Sequence, residues 1–354
     1  MGFRTGRRKI VQSDREGGKK MASIHDVAKE AGVSVATVSK VINNYPDVSD
    51  KTRKKVSQTI KELKYHPNVA ARGLVKGRSW TVGVFVTNSF KNPFVSELLE
   101  GIKTALQNSG YDLVLLSTRF DDPGYSFVEH CLSRNVDGVV GFGVARNDPH
   151  LEELLDSDIP TMFVDADIRG RRAGYITTEN KAGIMQAVEH LAQLGHSRIA
   201  FISGKLDNAV GSLRHEGFTE GMKKHKLPVH PDYVRVSDYS MEGGTIAMND
   251  LLTLKERPTA VVCTSDMMAF GAINVIHRNG LSVPEDISVI GFDNTYYSEI
   301  FSPALTTVNQ NIPSIGSHAI ENLIAMIENS DFAPSVVTEP SNLIVRCTTA
   351  EPRK

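Results

Sequence analysis

From Trp80 onward, short runs rich in β-branched and aromatic residues alternate with longer stretches of helical spacing. This alternation constrains the fold more than any other feature of the chain. One series of runs is TVGVFV, YDLVLLS, VDGVVGFG, IPTMFVD and AGYITT, and a second is RIAFISG, YVRVSD, TAVVCTSD and ISVIGFDN. Strands that alternate with helices form parallel sheets with helices on both faces. The pattern therefore predicts an α/β body of two doubly wound parallel-sheet lobes.

Polar residues at the ends of these runs predict a small-molecule site between the lobes. Asp165 follows TMFV, Asp266 follows VVCTS and Asp293 ends VIGFD. Open α/β sheets bind ligands beyond the carboxyl ends of their strands, and a cleft between two lobes is a natural site. For any single aspartate, spacing alone favours an ordinary polar residue of a surface loop.

Other residues add a cation, two aromatic rings and an amide to this predicted cleft: Arg214, Tyr239, Phe94 and Asn92. Carboxylates and a guanidinium bind vicinal hydroxyl groups, and an aromatic face covers the C–H side of a sugar ring. The set therefore fits a sugar or another polyol. A structural ion pair between Arg214 and one of the aspartates is the alternative for that residue.

The segment before the body predicts a helix-turn-helix. In SIHDVAKEAG, Ser23 and Asp26 form a variant of the capping box, and Gly32 allows the backbone to end the first helix. Ser34 can then cap a second helix, VATVSKVINN, after a turn of three or four residues. Ser49 can cap a third, basic helix, with Val56, Ile60 and Leu63 at helical spacing.

The second helix is expected to turn Val38, Val41 and Ile42 inward. Small and polar residues remain outside, with one cation: Val35, Ala36, Ser39, Lys40 and Asn43. Short side chains let a helix approach the floor of a DNA major groove. A generic three-helix bundle is the alternative on spacing alone.

Charge supports a nucleic-acid partner for the first part of the chain. Residues 1–79 carry 18 Lys and Arg against 7 Asp and Glu, whereas the rest carries 22 against 34. A basic segment joined to an acidic body is typical of a polyanion-binding head, although charge alone also fits a solvated basic face.

The stretches SIHDVAKEAGVSVATVSKVINN, VSDKTRKKV and YHPNVAARGL resemble the head of the LacI/GalR family of bacterial transcription regulators. Blocks of the body match as well, so the resemblance implies a periplasmic binding protein-like, effector-binding body. It implies that Asp165, Arg214 and Asp293 contact the effector. Tyr239 matches a position that is often aromatic, and Asn92 and Phe94 match the first loop of the pocket, which is one residue longer here.

The resemblance also implies how the head reads an operator. Val35, Ala36 and Lys40 would set specificity, although arginine is commoner than lysine at position 40. The remaining contacts to phosphates or base edges would come from Ser34, Thr37, Ser39, Asn43, Asn68 and Ala71. NVAARGL resembles a hinge helix that orders on DNA, where Leu74 would wedge into the minor groove.

The sequence contains no Gly-x-Ser-x-Gly elbow, P-loop or paired-histidine zinc motif. We therefore expect no catalytic residue, cofactor or metal, and the function expected is an effector-controlled transcriptional repressor. A DNA-binding enzyme that acts on a small sugar-like substrate is the alternative. A free-standing sugar-binding protein fits less well, because it should have a secretory signal and no basic head.

Three widely spaced cysteines indicate a reducing compartment, and we expect the protein to be cytoplasmic with no membrane partner. No heptad tail follows VRCTTAEPRK, so a homodimer on a pseudo-palindromic operator is expected rather than a tetramer. The predicted domains are a disordered basic extension (1–21), the head (22–67), the hinge helix and linker (68–78), and the body (79–350). The natural start of the protein is expected near Met21. Within the body, lobe 1 covers about 80–177 and 308–335, and lobe 2 about 178–307 and 336–350.

Overall fold

A computed structural model describes residues 22–66, 77–87, 89–118, 122, 124–144 and 146–353. Backbone contacts divide the chain into two units between Ser79 and Trp80. The predicted basic extension and most of the predicted hinge, with Asn68, Ala71 and Leu74, lie outside the described residues. Among the described helices, none is both long and apolar enough to cross a membrane.

The head is built from three helices, each begun by a serine. They are α1 (Ile24–Ala31), α2 (Val35–Ile42) and α3 (Asp50–Glu62). The capping serines are Ser23, Ser34 and Ser49; each accepts a bond from the backbone three residues on. The core consists of small apolar side chains: Val27, Ala28, Ala31, Val38, Val41 and Val56. The three helices thus close one compact core, as the spacing predicts.

The body contains two six-stranded sheets. Its strands are β1 (Thr81–Val86), β2 (Asp112–Leu116), β3 (Gly138–Phe142), β4 (Thr161–Val164), β5 (Ala173–Thr178), β6 (Ile199–Ser203), β7 (Val234–Val236), β8 (Ala260–Cys263), β9 (Ser288–Asp293), β10 (Thr306–Asn309), β11 (Val336–Glu339) and β12 (Asn342–Ile344). The first sheet has the order β11-β5-β4-β3-β1-β2, and the second has the order β12-β10-β9-β8-β6-β7. Every pairing is parallel except that of β12 with β10.

Helices cover both faces of each sheet, as the alternation in the sequence predicts. They are α4 (Pro93–Leu106), α5 (Phe127–Arg134), α6 (Leu151–Asp156), α7 (Asn180–Gln193), α8 (Ala209–Lys224), α9 (Met241–Leu252), α10 (Asp266–Arg278), α11 (Tyr296–Ile300) and α12 (Ile312–Glu328). In lobe 1, α4 and α12 enclose one core and α5 and α6 the other. In lobe 2, α9 and α10 enclose one core, and α7 and α8 the other.

The chain passes between the lobes three times, near residues 179, 310 and 340. The first and third passages lie side by side, because the backbone N–H of Glu179 donates to the carbonyl of Glu339 at 2.9 Å. The hydroxyl of Thr178 donates to the same carbonyl at 3.1 Å. These bonds fix where the strands of lobe 1 end.

The strand pairing moves two of the predicted lobe boundaries. Strand β11 was expected in lobe 2, but it pairs in parallel with β5 of lobe 1. Residues 308 and 309 were expected in lobe 1, but they continue β10 of lobe 2. The physical reason is that each crossing occurs only after the strand has completed its ladder of backbone hydrogen bonds.

Candidate functional site

Two aspartates stand where a strand of each lobe ends. Asp165 follows β4 of lobe 1, and Asp293 is the last residue of β9 of lobe 2. Their φ angles are 53° and 131°, in the region that favours glycine. Such backbone strain is concentrated at functional sites, because the surrounding structure must hold it in place.

Asp293 is buried and Asp165 is partly buried, and both accept hydrogen bonds from their own lobe or from a lobe crossing. Asp165 accepts from the Thr177 hydroxyl at 2.9 Å, and burial raises its pKa. Asp293 accepts from the side-chain amide of Gln310 at 2.6 Å and, more weakly, from the backbone N–H of Asp266 at 3.4 Å. Burial, followed by the charge of Asp266, raises the pKa of Asp293 well above its usual value.

Arg214 connects these groups electrostatically. Its positive charge opposes the rise in the pKa of Asp165, Asp293 and Tyr239. Asp165 of lobe 1 and Asp293 and Tyr239 of lobe 2 thus all lie near enough to Arg214 for its charge to act on them. Asp165, Arg214, Tyr239 and Asp293 therefore influence one another electrostatically, and their contact with an effector stays a prediction.

Arg214 also holds lobe 2 together. Its side chain is only 3% exposed; Nε donates to Oδ1 of Asn180 at 2.7 Å, and Nη1 donates to the carbonyl of Thr264 at 2.6 Å. The guanidinium carbon lies 3.7 Å from the centre of the Phe292 ring, a cation–π contact. The ion pair with an aspartate, which is the alternative to a ligand contact, is not among the ion pairs of the described residues. Arg214 thus has a structural task besides any contact with a ligand.

Tyr239 presents a buried hydroxyl group. Its ring lies flat on Gly204, where an added Cβ would come within 1.9 Å of the Tyr239 Cζ atom. Asn208 lies near the hydroxyl, but no hydrogen bond of usual geometry joins the two, and the Asn208 oxygen accepts from the backbone of Gly211 instead. Burial raises the pKa of Tyr239, so the hydroxyl keeps its proton.

Gln310 is a member of the site that the sequence did not reveal. Its side chain is fully buried at the second lobe crossing, and its amide nitrogen holds Asp293. Its amide oxygen has no hydrogen-bond partner among the described residues. A glutamine after a strand follows no recognisable pattern, so only the contact with Asp293 identifies it.

Unpaired polar atoms gather at the carboxyl ends of the lobe 2 strands. Ser203 Oγ ends β6, the Tyr239 hydroxyl follows β7, and Gln310 Oε1 follows β10; all three are buried without a partner among the described residues. Buried polar groups in native proteins are normally satisfied by protein, water or ligand. Their position at this edge indicates a polar binding site.

Asp266 does not reach the cleft. Its side chain is fully buried, and both oxygens are occupied. Oδ2 accepts from the backbone N–H and the hydroxyl of Thr295 at 2.8 and 3.1 Å, and Oδ1 accepts from the Thr307 hydroxyl at 2.5 Å. Burial raises its pKa to about 7. These bonds tie α10 to two neighbouring segments inside lobe 2, so they give the predicted effector contact of Asp266 no support.

Asn92 and Phe94 have roles in lobe 1 that differ from a ligand contact. The Asn92 side chain caps α4 by accepting from the backbone N–H of Phe94 at 3.1 Å. The Phe94 ring stacks on Phe142, with ring centres 4.9 Å apart, and is 5% exposed. These contacts begin a helix and fill the lobe 1 core.

In the head, several predicted DNA contacts also stabilise α2. Ser34 accepts from the backbone N–H of Thr37 at 3.1 Å, and the two hydroxyls lie 2.9 Å apart. The Asn43 amide donates to the Ser39 carbonyl at 2.8 Å. Val35 is partly buried against the core, whereas Ala36 and Lys40 are exposed. The outward face of α2 is therefore narrower than predicted.

Comparison with known proteins links both parts of the chain to transcription regulators. Residues 23–68 match the sequence model of bacterial regulatory proteins, lacI family, and residues 188–349 match that of a periplasmic binding protein-like domain. Catabolite control protein A of Priestia megaterium is 34% identical over 92% of this chain and 99% of its own. The HTH-type transcriptional repressor PurR of Vibrio parahaemolyticus is 34% identical over 93% and 98%, respectively.

Solved structures agree with these sequence similarities. The Lac repressor dimer bound to operator and the anti-inducer ONPF is 30% identical, with a TM-score of 0.80 over 94% of this chain and 100% of that chain. The transcriptional regulator CelR in complex with cellobiose is 30% identical, with a TM-score of 0.69 over 92% and 99%. The similarity thus extends over the head and the body alike.

Proposed function

Since this chain belongs to the LacI family, it is a DNA-binding transcriptional repressor and not an enzyme, and we propose that a sugar or sugar derivative bound between the lobes of its body controls it. The observation that carries the proposal is the set of unpaired polar atoms of Ser203, Tyr239 and Gln310 at one sheet edge. A polyhydroxylated molecule supplies several donors and acceptors at once, which these atoms require.

The charged groups beside these atoms suit the same class of effector. Asp165 and Asp293 accept from hydroxyls, and Nη2 of Arg214, which has no hydrogen bond to a described residue, donates. The guanidinium already donates twice within lobe 2, so it leaves little donor capacity for a strongly anionic ligand. The cellobiose bound by CelR supports a carbohydrate, although its chain is only 30% identical.

The head is proposed to read DNA through α2, with Val35, Ala36 and Lys40 at base edges. Ser34, Thr37, Ser39 and Asn43 combine the caps described above with contacts to phosphates or bases. Asn68, Ala71 and Leu74 are proposed to bind the minor groove.

Two copies of the chain are proposed to bind a pseudo-palindromic operator. The Lac repressor dimer on its operator supports this arrangement, since a two-fold protein matches a two-fold site. Because the target is chromosomal DNA, the proposed compartment is the bacterial cytoplasm. Operator and effector must then change each other's affinity by the same factor.

Calorimetry tests the proposed effector class. The full chain is titrated with neutral sugars, sugar phosphates and nucleobases, and each ligand that binds is then added to an operator titration. We expect a neutral sugar to bind and to change operator affinity.

The variant Tyr239→Phe removes only the unpaired hydroxyl and should weaken binding of that sugar by about tenfold, the worth of one buried hydrogen bond. Tyr45→Phe, at a tyrosine of the head that is 47% exposed, is the matched control and should bind the sugar as before. Binding by a nucleobase or a phosphate alone, or equal behaviour of the two variants, would contradict the proposal.

A further inference from the structure

The only basic residue of α2 is Lys40, and it is held by the protein itself. Its ammonium group forms an ion pair with Asp47, in the loop between α2 and α3. Both side chains are about half exposed, at 48% and 54%. The bond from Lys40 lowers the pKa of Asp47, so this carboxylate stays charged at neutral pH. Among residues 22–66, no other lysine has a carboxylate partner.

The loop that carries Asp47 is anchored on both sides. The Arg53 guanidinium donates to the carbonyl of Tyr45 at 2.7 Å and to the Asn44 side chain at 3.2 Å. The backbone N–H of Tyr45 donates to the carbonyl of Lys40 at 3.0 Å, and Val48 packs on the core of the head. The carboxylate is therefore presented to Lys40 by a fixed loop.

We propose that Asp47 is a specificity-determining residue of the head, because its carboxylate keeps the Lys40 ammonium on the protein until an operator base edge replaces it. The inference rests on the proposed placement of Lys40 at DNA. On an unrelated duplex, Lys40 finds only phosphates, and it can stay paired with Asp47. The pair then contributes no net charge to a binding mode that depends on charge alone.

On the operator, a base edge competes with the Asp47 carboxylate for the Lys40 ammonium, and the base edge prevails. A guanine edge offers two acceptors in the major groove, and a good contact there discriminates more strongly than an exposed ion pair stabilises. Lysine suits this exchange of the Asp47 carboxylate for a base acceptor, because its side chain is flexible and its ammonium can donate in several directions. Asp47 thus lowers affinity for unrelated DNA more than affinity for the operator.

The experiment compares Asp47→Asn with Asp50→Asn in the full chain. Asp50 is an exposed residue in the first turn of α3 and has no ion pair with a residue in the described part of the head, so its variant removes the same charge without touching Lys40. The probes are a duplex selected by the wild-type chain from a random pool and a scrambled duplex of equal composition. Each is titrated at one salt concentration.

We expect Asp47→Asn to bind the scrambled duplex about two- to fivefold more tightly than Asp50→Asn does, the range set by exposed ion pairs. The gain on the selected duplex should be smaller, so the ratio of the two affinities falls. In a Lys40→Met background the difference between the two asparagine variants should vanish. Circular dichroism melting verifies that each variant folds, and Asp47→Ser provides a second test of the same carboxylate.

Three results would overturn the inference. Equal effects of the two asparagine variants on both duplexes would mean that Asp47 acts as general charge only. If the difference between the two asparagine variants persists in the Lys40→Met background, Asp47 does not act through Lys40. A loss on the selected duplex alone would make Asp47 itself a base contact. Lys40→Met alone tests the separate premise, since unchanged binding to both duplexes would mean that Lys40 does not contact DNA.

Discussion

At the scale of single residues, Arg214 has a structural role in lobe 2 and a proposed role in ligand binding. Loss of the first lowers the stability of the body, whereas loss of the second abolishes the response to effector. Replacing Arg214 by alanine leaves the Asn180 oxygen and the Thr264 carbonyl buried without their donor. We expect the free energy of unfolding of the body to fall by about 2–4 kcal/mol, the penalty for two unsatisfied groups. Urea unfolding measures this change.

The exposed surface variant Lys224→Ala is the control and should change stability little. If Arg214→Ala unfolds like the wild type but no longer responds to effector, the bonds to Asn180 and Thr264 contribute nothing, and Arg214 is a ligand contact alone.

The buried aspartates make stability depend on pH. Burial raises the pKa of Asp266 to about 7 and that of Asp293 well above normal, whereas an unfolded aspartate titrates near 3.9. Between about pH 4 and pH 7 the folded body therefore holds protons that the unfolded chain has lost. Stability from these groups is complete below pH 4 and falls as pH rises, by at most about 1.4 kcal/mol per pH unit for each group.

The variant Asp266→Asn stays neutral and should flatten this slope. Its amide oxygen can accept from Thr295 while its amide nitrogen donates to the Thr307 hydroxyl, so the local bonds survive. His190 and His196 have lowered pKa values and contribute the opposite slope near pH 6, but equally in both proteins. Urea unfolding at pH 5 and pH 7 provides the comparison, and equal slopes would show that Asp266 is already ionised at pH 5.

At the scale of elements, substitutions in α2 and in the hinge segment should have different effects on DNA binding: the hinge sets operator affinity and α2 sets operator preference. We expect Leu74→Ala to weaken operator binding by a few kcal/mol, the order of the unstacking that a wedge supports, with little change on a scrambled duplex. We expect Ala36→Gln to change which operator is preferred, because position 36 is exposed on α2. Titration on both duplexes, followed by a new selection with Ala36→Gln, checks this. Equal losses for Leu74→Ala on both duplexes would mean that Leu74 only packs the head.

The elements themselves could be predicted better than the contacts of their side chains. Periodicity identified the three helices of the head and the strands up to β9, because each buries a regular apolar pattern. Strands β11 and β12 lie at sheet edges and bury few residues, so they carry little apolar pattern, and they go to different sheets. Their placement depends on the bonds to Glu339 at the crossing, which no local sequence encodes.

The same limit explains the mixed outcome at the cleft. The strand-end rule selected Asp165, Asp266 and Asp293 alike, since each follows a buried strand. The rule cannot distinguish a carboxylate that lies in the cleft from one that accepts hydrogen bonds inside its own lobe. Asp266 is of the second kind. Gln310 was missed for the opposite reason, because its role arises from a lobe crossing.

At the scale of the whole molecule, α11 is a candidate surface for self-association. It presents three exposed apolar side chains, Tyr296, Tyr297 and Ile300, at 66%, 51% and 57% exposure. Clustered exposed apolar groups often mark interfaces. We expect Ile300→Glu to yield monomers and to lower operator affinity by at least about tenfold, since linked heads bind more tightly than separate ones.

Sedimentation equilibrium and an operator titration measure these two effects. Val229→Glu places the same charge at another exposed apolar residue, in the loop after α8, and should remain dimeric. A dimeric Ile300→Glu protein would exclude α11 from the interface.

The interleaved lobes also determine the order in which a ribosome can complete this protein. The head is a separate unit that ends by Ser79, so it can close its core early in synthesis. Each sheet of the body, in contrast, waits for a strand within residues 336–344, which the ribosome makes long after the head. Until then both lobes have an unfilled sheet edge, the kind of surface that recruits chaperones or aggregates. A nascent chain can therefore fold its DNA-binding head well before the effector-binding body that controls DNA binding.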